Sequence, residues 1–236
     1  GWSVQEIDLD QEREIDEIDV LYINSASSGK KREPISQSMR DHLLAQAEKH
    51  NFLIIEDDYN GELTYRSRSR RAMYSYDTNE RVIYCGSFSR LLLPSVRISY
   101  LVLNEMWAQY YLSHKMEYGP MASKLEQIAF ANYIADGHLE RHVRKLKRDY
   151  KEKSRLMEEA LNRRGYESFL NEAYLSYVVK VDVDPYVFHD NARKRNVGMA
   201  DVEKGLVEIS FASLENEQID QAVDVFDQLV KSSRKA

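Results

Sequence analysis

Cysteine, glycine and proline are all scarce in this 236-residue chain. The one cysteine, Cys85, excludes an intrachain disulfide framework and cannot build a thiolate metal cluster. Nine glycines and four prolines are few against typical usage of about 7% and 5%, and no glycine-rich phosphate loop is present. No uncharged run approaches the ~18 residues of a membrane helix. No charged start followed by an apolar block reads as a signal peptide. Basic residues do not dominate: 33 Lys and Arg stand against 39 Asp and Glu, a formal net charge of −6. A chain this acidic carries no whole-surface field for nucleic acid. The six histidines form no HExxH or other close metal pattern, and His138 and His142 lack a nearby carboxylate or thiol to complete a site.

What is present is a globular composition. Apolar residues make up 43% of the chain, enough for a real core. The length is about 1.6 times a usual domain, so one large or two small domains are expected. These features point to a cytoplasmic globular protein. The chain opens at Gly1-Trp2 with no initiator Met, which reads as the later part of something longer.

Apolar runs locate the elements. Residues 3–9 read as a strand, and Val20-Leu21-Tyr22-Ile23 as a short buried one. Ser36 can cap a helix over 37–50, with Met39, Leu43, Leu44 and Ala47 at helical spacing. Residues 52–55, 81–84 and 98–103 are further strands. Strands alternating with a helix suggest an α/β layer with a central, mostly parallel sheet. Helices are expected over 106–116 and 123–136. Leu139, Val143, Leu146, Tyr150, Met157 and Leu161 then mark one long amphipathic helix over 138–164. Strands follow at 174–183 and 207–211, and a helix at 215–230 capped by Ser213. The expected division is 1–137 for a larger sheet-bearing domain and 138–236 for a smaller α+β domain. Charge is uneven. Residues 138–155 hold eight Lys and Arg against three acids, and 201–227 hold eight acids and one Lys. Either these are solvated helix faces, or the two segments are neighbours or oppose each other between subunits.

Two constellations carry chemistry. Asp57 and Tyr59 stand two apart at a strand end, where alternation puts a carboxylate and a phenol on one side. Such a pair can hold a protonated ring nitrogen and a ring oxygen, although an acidic strand-to-loop boundary has the same composition. Ser87, Ser89, Arg90 and Arg97 follow a buried strand within eleven residues. Hydroxyls, backbone N–H groups and guanidinium forks suit an anion, phosphate above all, although a polar turn with surface arginines also fits.

Three blocks together resemble a known family. They are Ile54-Ile55-Glu56-Asp57-Asp58-Tyr59-Asn60-Gly61-Glu62-Leu63, then Arg81-Val82-Ile83-Tyr84-Cys85-Gly86-Ser87-Phe88-Ser89, then Leu93-Pro94-Ser95-Val96-Arg97-Ile98-Ser99-Tyr100. In this order, and with Ser123-Lys124-Leu125-Glu126-Gln127 and Ile209-Ser210-Phe211-Ala212-Ser213-Leu214, the chain is similar to the MocR/GabR regulators. These bacterial transcription factors join an N-terminal winged helix-turn-helix to a fold-type I aminotransferase-like domain. The resemblance implies that fold for the large domain, here incomplete at its N-terminus, with a smaller α+β domain after it. It implies pyridoxal 5'-phosphate as cofactor, a homodimer, a small effector (an amino acid or a vitamin B6 compound), and DNA contact only through a winged helix-turn-helix outside this chain. By resemblance, Asp57 pairs with the pyridine nitrogen and Tyr59 contacts the phenolic oxygen. Ser87, Ser89 and Arg97 fall in the phosphate cup.

The departures bear on function. The family writes Ser-Lys where this chain has Ser89-Arg90, and that Lys forms the Schiff base. An Arg cannot, because its guanidinium stays protonated and is a poor nucleophile. The loop at 24–29 is shorter than the family's Pro- and His-containing segment, and 184–205 also reads as an abbreviated loop. Glu208 stands where many fold-type I aminotransferases carry a carboxylate-binding Arg, with Arg193 and Arg195 as the nearest candidates for that role. The expected function is therefore an effector-binding and dimerisation domain. It would either hold the cofactor non-covalently or bind an altered anionic ligand through Arg90 and Arg97. The alternatives are a true aminotransferase, or a ligand-free scaffold.

Overall fold

The computed structural model describes the chain except for residues 2, 10–13, 27–33, 60, 67–70, 93–94, 120–121, 199–202, 204 and 235–236. Part of the shortened loop at 24–29, together with Leu93 and Pro94, lies outside the described residues. The backbone divides into two compact units: Gly1–Leu63 with Arg68–Val143, and Thr64–Ser67 with Arg144–Ala236.

The first unit is built on a four-stranded sheet in the order β1 (Val20–Asn24), β2 (Leu53–Asp58), β3 (Val82–Ser87), β4 (Ser99–Val102). The first three strands run parallel and β4 closes the edge antiparallel to β3. Helix α1 (Gln37–His50) joins β1 to β2. Its start follows the sequence signal: Ser36 is extended and its hydroxyl accepts from the Met39 N–H at 3.1 Å. It stops at Asn51, which adopts a left-handed conformation (φ 60°) and returns its N–H to Ala47, the usual way to close a helix C-terminus.

Leu43 and Ala47 of α1 pack with Leu21, Ile23, Ile54 and Val82, one alternating face of the sheet. The other face carries Tyr22, Ile55, Asp57, Ile83 and Cys85, which are partly or fully exposed. Strand alternation thus separates a dry face from an open one within each strand. Helices α2 (Glu105–His114) and α3 (Lys124–Ala135) complete the unit. Asn104 caps α2 by accepting from the Trp107 N–H at 2.9 Å.

In the second unit, the part of helix α4 (His138–Arg163) from Arg144 on packs with strands β5 (Ser168–Asn171), β6 (Ser176–Lys180) and β7 (Leu206–Ser210), and with helices α5 (Pro185–Lys194) and α6 (Ile219–Ser232). The strands form an antiparallel sheet in chain order. Met157, Leu161, Tyr177, Phe188, Phe211 and Phe226 fill the core.

Several expectations change. Residues 3–9 form no strand; Ile7 and Leu9 pack on the first core instead. Of the α4 stripe, Met157 and Leu161 are buried, while Leu139, Val143, Leu146 and Tyr150 keep partial exposure. Strand β5 is only four residues long, too short for alternation to announce it. The 184–194 stretch is helical: Asp184 accepts from the Val187 N–H at 3.0 Å and Pro185 sits at the first position, a start signal the loop reading overlooked. The cap before α6 is Glu215, not Ser213. Its side chain and Gln218 exchange bonds with the backbone of a 3-10 turn over Asn216–Gln218, the reciprocal box that satisfies a helix start. The basic and acidic segments do meet in part: Arg148, Lys151 and Arg155 line a groove with Glu215 and Glu217.

Candidate functional site

The C-terminal ends of β1, β2 and β3 lie side by side. Asn24 is in register with Asp57 and Asp57 with Cys85, while Asp58 is in register with Gly86. Open α/β sheets bind ligands at this edge, where loops diverge and strand-end groups point outward.

Asp57 and Asp58 face opposite sides. The carboxylate of Asp57 accepts a hydrogen bond from the Tyr22 hydroxyl on the open face. That bond pushes the Tyr22 phenol up to about 12, because its neutral form is the donor. On the same face, burial first and then the Asp57 charge raise the Cys85 thiol. Asp58 instead accepts from the Tyr84 hydroxyl at 3.2 Å. Burial chiefly, with the Asp58 charge next, holds the Tyr84 phenol protonated. Tyr100 packs beside Tyr84, with ring centroids 6.1 Å apart. It lies over Gly86, where a Cβ would fall 2.2 Å from the ring. A side chain larger than hydrogen at 86 has no room.

Tyr59 follows the end of β2, and its ring lies under the guanidinium of Arg90, 5.5 Å from centroid to Cζ. Tyr59 lines a small pocket with Asp58, Tyr84, Ser87, Leu91 and Tyr100. Alternation was expected to put Asp57 and Tyr59 on one side. The ladder stops at Asp58, so alternation no longer governs Tyr59, and Asp58 is its partner in the pocket.

The turn after β3 places the second constellation. Ser87 Oγ accepts from the Ser89 N–H at 3.3 Å, and Ser89 Oγ donates to the Val96 carbonyl at 3.0 Å. The Phe88 N–H bonds to Ile98 O at 3.0 Å, and the Leu91 and Leu92 N–H groups both return to Phe88 O. Phe88 stacks on Tyr100 at 5.1 Å and meets Phe130 edge-on at 4.5 Å. Phe88 and buried Leu91 pin this turn and with it the partly buried Arg90. Arg97 is exposed beyond it. Ser87, Ser89, Arg90 and Tyr59 are thus brought into one neighbourhood. Asp57 stands across the sheet with Tyr22.

The sequence reading missed Tyr22, Asp58, Tyr84 and Tyr100. The signal was parity: 58 is in register with 86 and shares its face with 84, whereas 57 shares that of 85. Of the histidine pair, His142 Nε2 contacts the Leu91 carbonyl at 2.6 Å and His138 lies against Tyr133. No group of three or more His, Cys, Asp or Glu that could hold a metal occurs among the described residues.

In the second unit Ser176 Oγ at 2.5 Å and Asn171 Nδ2 at 3.3 Å both donate to Glu208 Oε1. Arg193 and Arg195 are exposed near the end of α5, and Arg195 donates to Gln228 Oε1 at 3.1 Å. A separate clamp orders the segment after β2. Glu172 Oε1 accepts both the Tyr65 and the Arg66 N–H, at 2.5 and 2.6 Å. Arg66 donates to Tyr177 Oη at 2.8 Å and pairs with Glu158 at 2.8 Å.

A parallel sheet with its polar groups at the strand ends, followed by a small antiparallel unit, defines a fold-type I aminotransferase-like protein. The solved kynurenine aminotransferase of Pyrococcus horikoshii shares this fold. It superposes with a TM-score of 0.74 at 22% identity, over 93% of this chain and 57% of that one. The chain belongs to the class I and II aminotransferase family, whose model matches residues 33–226. Among curated proteins it is similar to the probable rhizopine catabolism regulatory protein MocR of Rhizobium meliloti, with 36% identity over half of this chain. It is also similar to the HTH-type transcriptional regulator NorG of Staphylococcus aureus, with 25% identity over 86% of this chain. The matches span 24% and 48% of those two proteins. No described helix is long and apolar enough to cross a membrane.

Proposed function

We propose that this chain is the effector-binding and dimerisation part of a MocR-type transcription regulator, acting in the cytoplasm, and that it holds pyridoxal phosphate without a covalent bond. What supports this reading is Arg90, which the resemblance to the MocR/GabR regulators aligns with the Schiff-base lysine and which lies over the Tyr59 ring. A guanidinium there supplies a fixed charge and no usable amine. That separates the chain from a working transaminase, which needs the amine as nucleophile and proton carrier.

The residues present suit the cofactor chemically. Asp57, reached from the open sheet face, offers an acceptor for a protonated ring nitrogen. Tyr59 offers a phenol. Ser87, Ser89, Arg90 and Arg97 offer hydroxyl, N–H and guanidinium donors for a phosphate. When bound, the cofactor supplies an electrophilic carbonyl that reacts with amines. The chain's own part is to bind and orient it, and to pass its occupancy on as a shift between conformers. DNA contact would belong to a helix-turn-helix outside this chain.

The test is the visible spectrum on adding pyridoxal phosphate, followed by borohydride reduction and mass analysis. A bound, non-reducible cofactor is expected, with Arg90→Lys converting it to a reducible adduct at residue 90. A covalent adduct on any lysine of the unaltered chain would overturn the reading. No binding by a folded dimer would favour a ligand-free scaffold.

A further inference from the structure

The uneven charge of the sequence leaves a cationic face that the cofactor site does not use. We propose that the exposed basic face of α4 between Arg144 and Arg155 binds the phosphate backbone of duplex DNA. It would add a sequence-independent contact to the one assigned above to a helix-turn-helix outside this chain. This face takes its partner from the regulator reading and makes no demand on pyridoxal phosphate.

Arg144, Lys147, Arg148, Lys151 and Arg155 recur at intervals of three or four within one helix, so they share a side of it. All five belong to the second unit. Lys147 is half-buried and the other four are exposed, as is Lys145 beside the row. Much of this charge is not neutralised. Arg148 pairs with Asp149 at 3.3 Å, and Arg155 with Glu152 and Glu159 at 2.7 and 2.5 Å. The side chains of Arg144, Lys145, Lys147 and Lys151 have no ion-pair partner among the described residues. The acids towards the C-terminus are taken up on their own side. Asp220 and Asp224 pair with Arg163 and Arg164, and Asp227 with Lys231. Glu215 accepts a backbone N–H as a helix cap. Glu217 shares a groove with Arg148 and Lys151 and stands against the row. The row is about 16 Å long at ~1.5 Å per residue. A duplex carries one phosphate charge per ~1.7 Å of its axis, so a straight face of this length meets several phosphates at once. Fixed cations hold such a backbone by releasing its counterions, with no reading of bases. A small anion would engage one or two of these cations and leave the others in water.

The test is fluorescence anisotropy of the chain with two duplexes of about 20 base pairs and unrelated sequence, over about 20 to 200 mM salt. Equal affinity for the two is expected. It should fall with salt at a log–log slope near about −4, for four unpaired cations at ~0.9 each. Lys147→Gln with Lys151→Gln should flatten that slope by about two. Lys115→Gln with Lys124→Gln, at two exposed lysines of the first unit, removes the same charge and should leave the slope unchanged. Glu217→Gln should tighten binding. The pyridoxal phosphate spectrum of the same samples reports the regulator reading separately, because none of these residues is placed in the cofactor site. A covalent lysine adduct there would sink that reading, not the duplex measurement. No binding at the lowest salt, an equal loss in the Lys115 and Lys124 variant, or poly-L-glutamate competing as well as a duplex (the mark of an acidic protein partner) would overturn the proposal.

Discussion

Replacing Arg40 by Met should unfold the first unit far more readily than its surface charges would suggest. Arg40 Nη1 meets Glu56 Oε1 at 2.9 Å, with the two side chains 5% and 0% exposed. The guanidinium also donates to the carbonyls of Ser25, Ile35 and Arg71 at 3.2 to 3.4 Å. It thereby ties the end of β1, the start of α1 and the segment before β3 to the back of β2. Arg40→Met leaves the Glu56 carboxylate buried opposite an apolar side chain, with the Tyr74 N–H at 3.3 Å as a remaining donor. It also removes a donor from each of the three carbonyls. Breaking a buried pair from one side costs about 3–5 kcal/mol, because the surviving charge keeps its desolvation penalty. The double change Arg40→Met with Glu56→Met removes that stranded charge and should cost less than the two single changes added together. Trp107, one of the chain's two tryptophans, belongs to the first unit. Urea unfolding followed by tryptophan fluorescence therefore reads this unit directly. A loss under about 1 kcal/mol for Arg40→Met, or strict additivity in the double variant, would refute the reasoning.

Three further outcomes follow from the same geometry. The Tyr22 phenol, held near 12 by Asp57, should titrate nearer its ordinary value of 10 in Asp57→Asn when followed by ultraviolet absorbance. In the unaltered chain its bond stabilises the fold below pH 10 and fades as the pH rises towards 12, since the unfolded phenol loses its proton first. Gly86→Ala would push a methyl into the Tyr100 ring and should cost about 1–3 kcal/mol by overpacking, with a change in near-ultraviolet circular dichroism from the displaced tyrosine. Glu172→Ala should speed amide exchange at Tyr65 and Arg66, whose N–H groups it receives. Unchanged protection there would mean that the carboxylate does not hold this segment.

The elements with a local code were legible. Helix α1 agrees with the expected 37–50 because Ser36, its apolar spacing and the strands around it all point one way. Helix α4 was visible from apolar recurrences at three, four or seven residues, Leu139 to Leu161. Strand β5 and helix α5 were not, since four residues carry no clear period and α5 announces itself only through the Asp184-Pro185 start. The second constellation was legible as a set, because Ser87, Ser89 and Arg90 are near neighbours in the chain. The partners of Asp57 and Tyr59 were not. They come from β1 and from the turn after β3, and nothing along β2 names them.

The sequence by itself determined the family, the α/β class of the first unit and the chemical character of residue 90. These rest on local order, composition and side-chain identity, which no folding alters. Tertiary structure alone decided which carboxylate serves which face. Register and the stopping point of the β2 ladder send Asp57 to Tyr22 and Asp58 to Tyr84, because neighbours one apart in a strand point to opposite sides. It also decided that Glu208 is hydrogen-bonded to a buried asparagine and a buried serine rather than standing as a surface acid. That pairing arises between three strands, where residues 171, 176 and 208 become neighbours only once the sheet has formed.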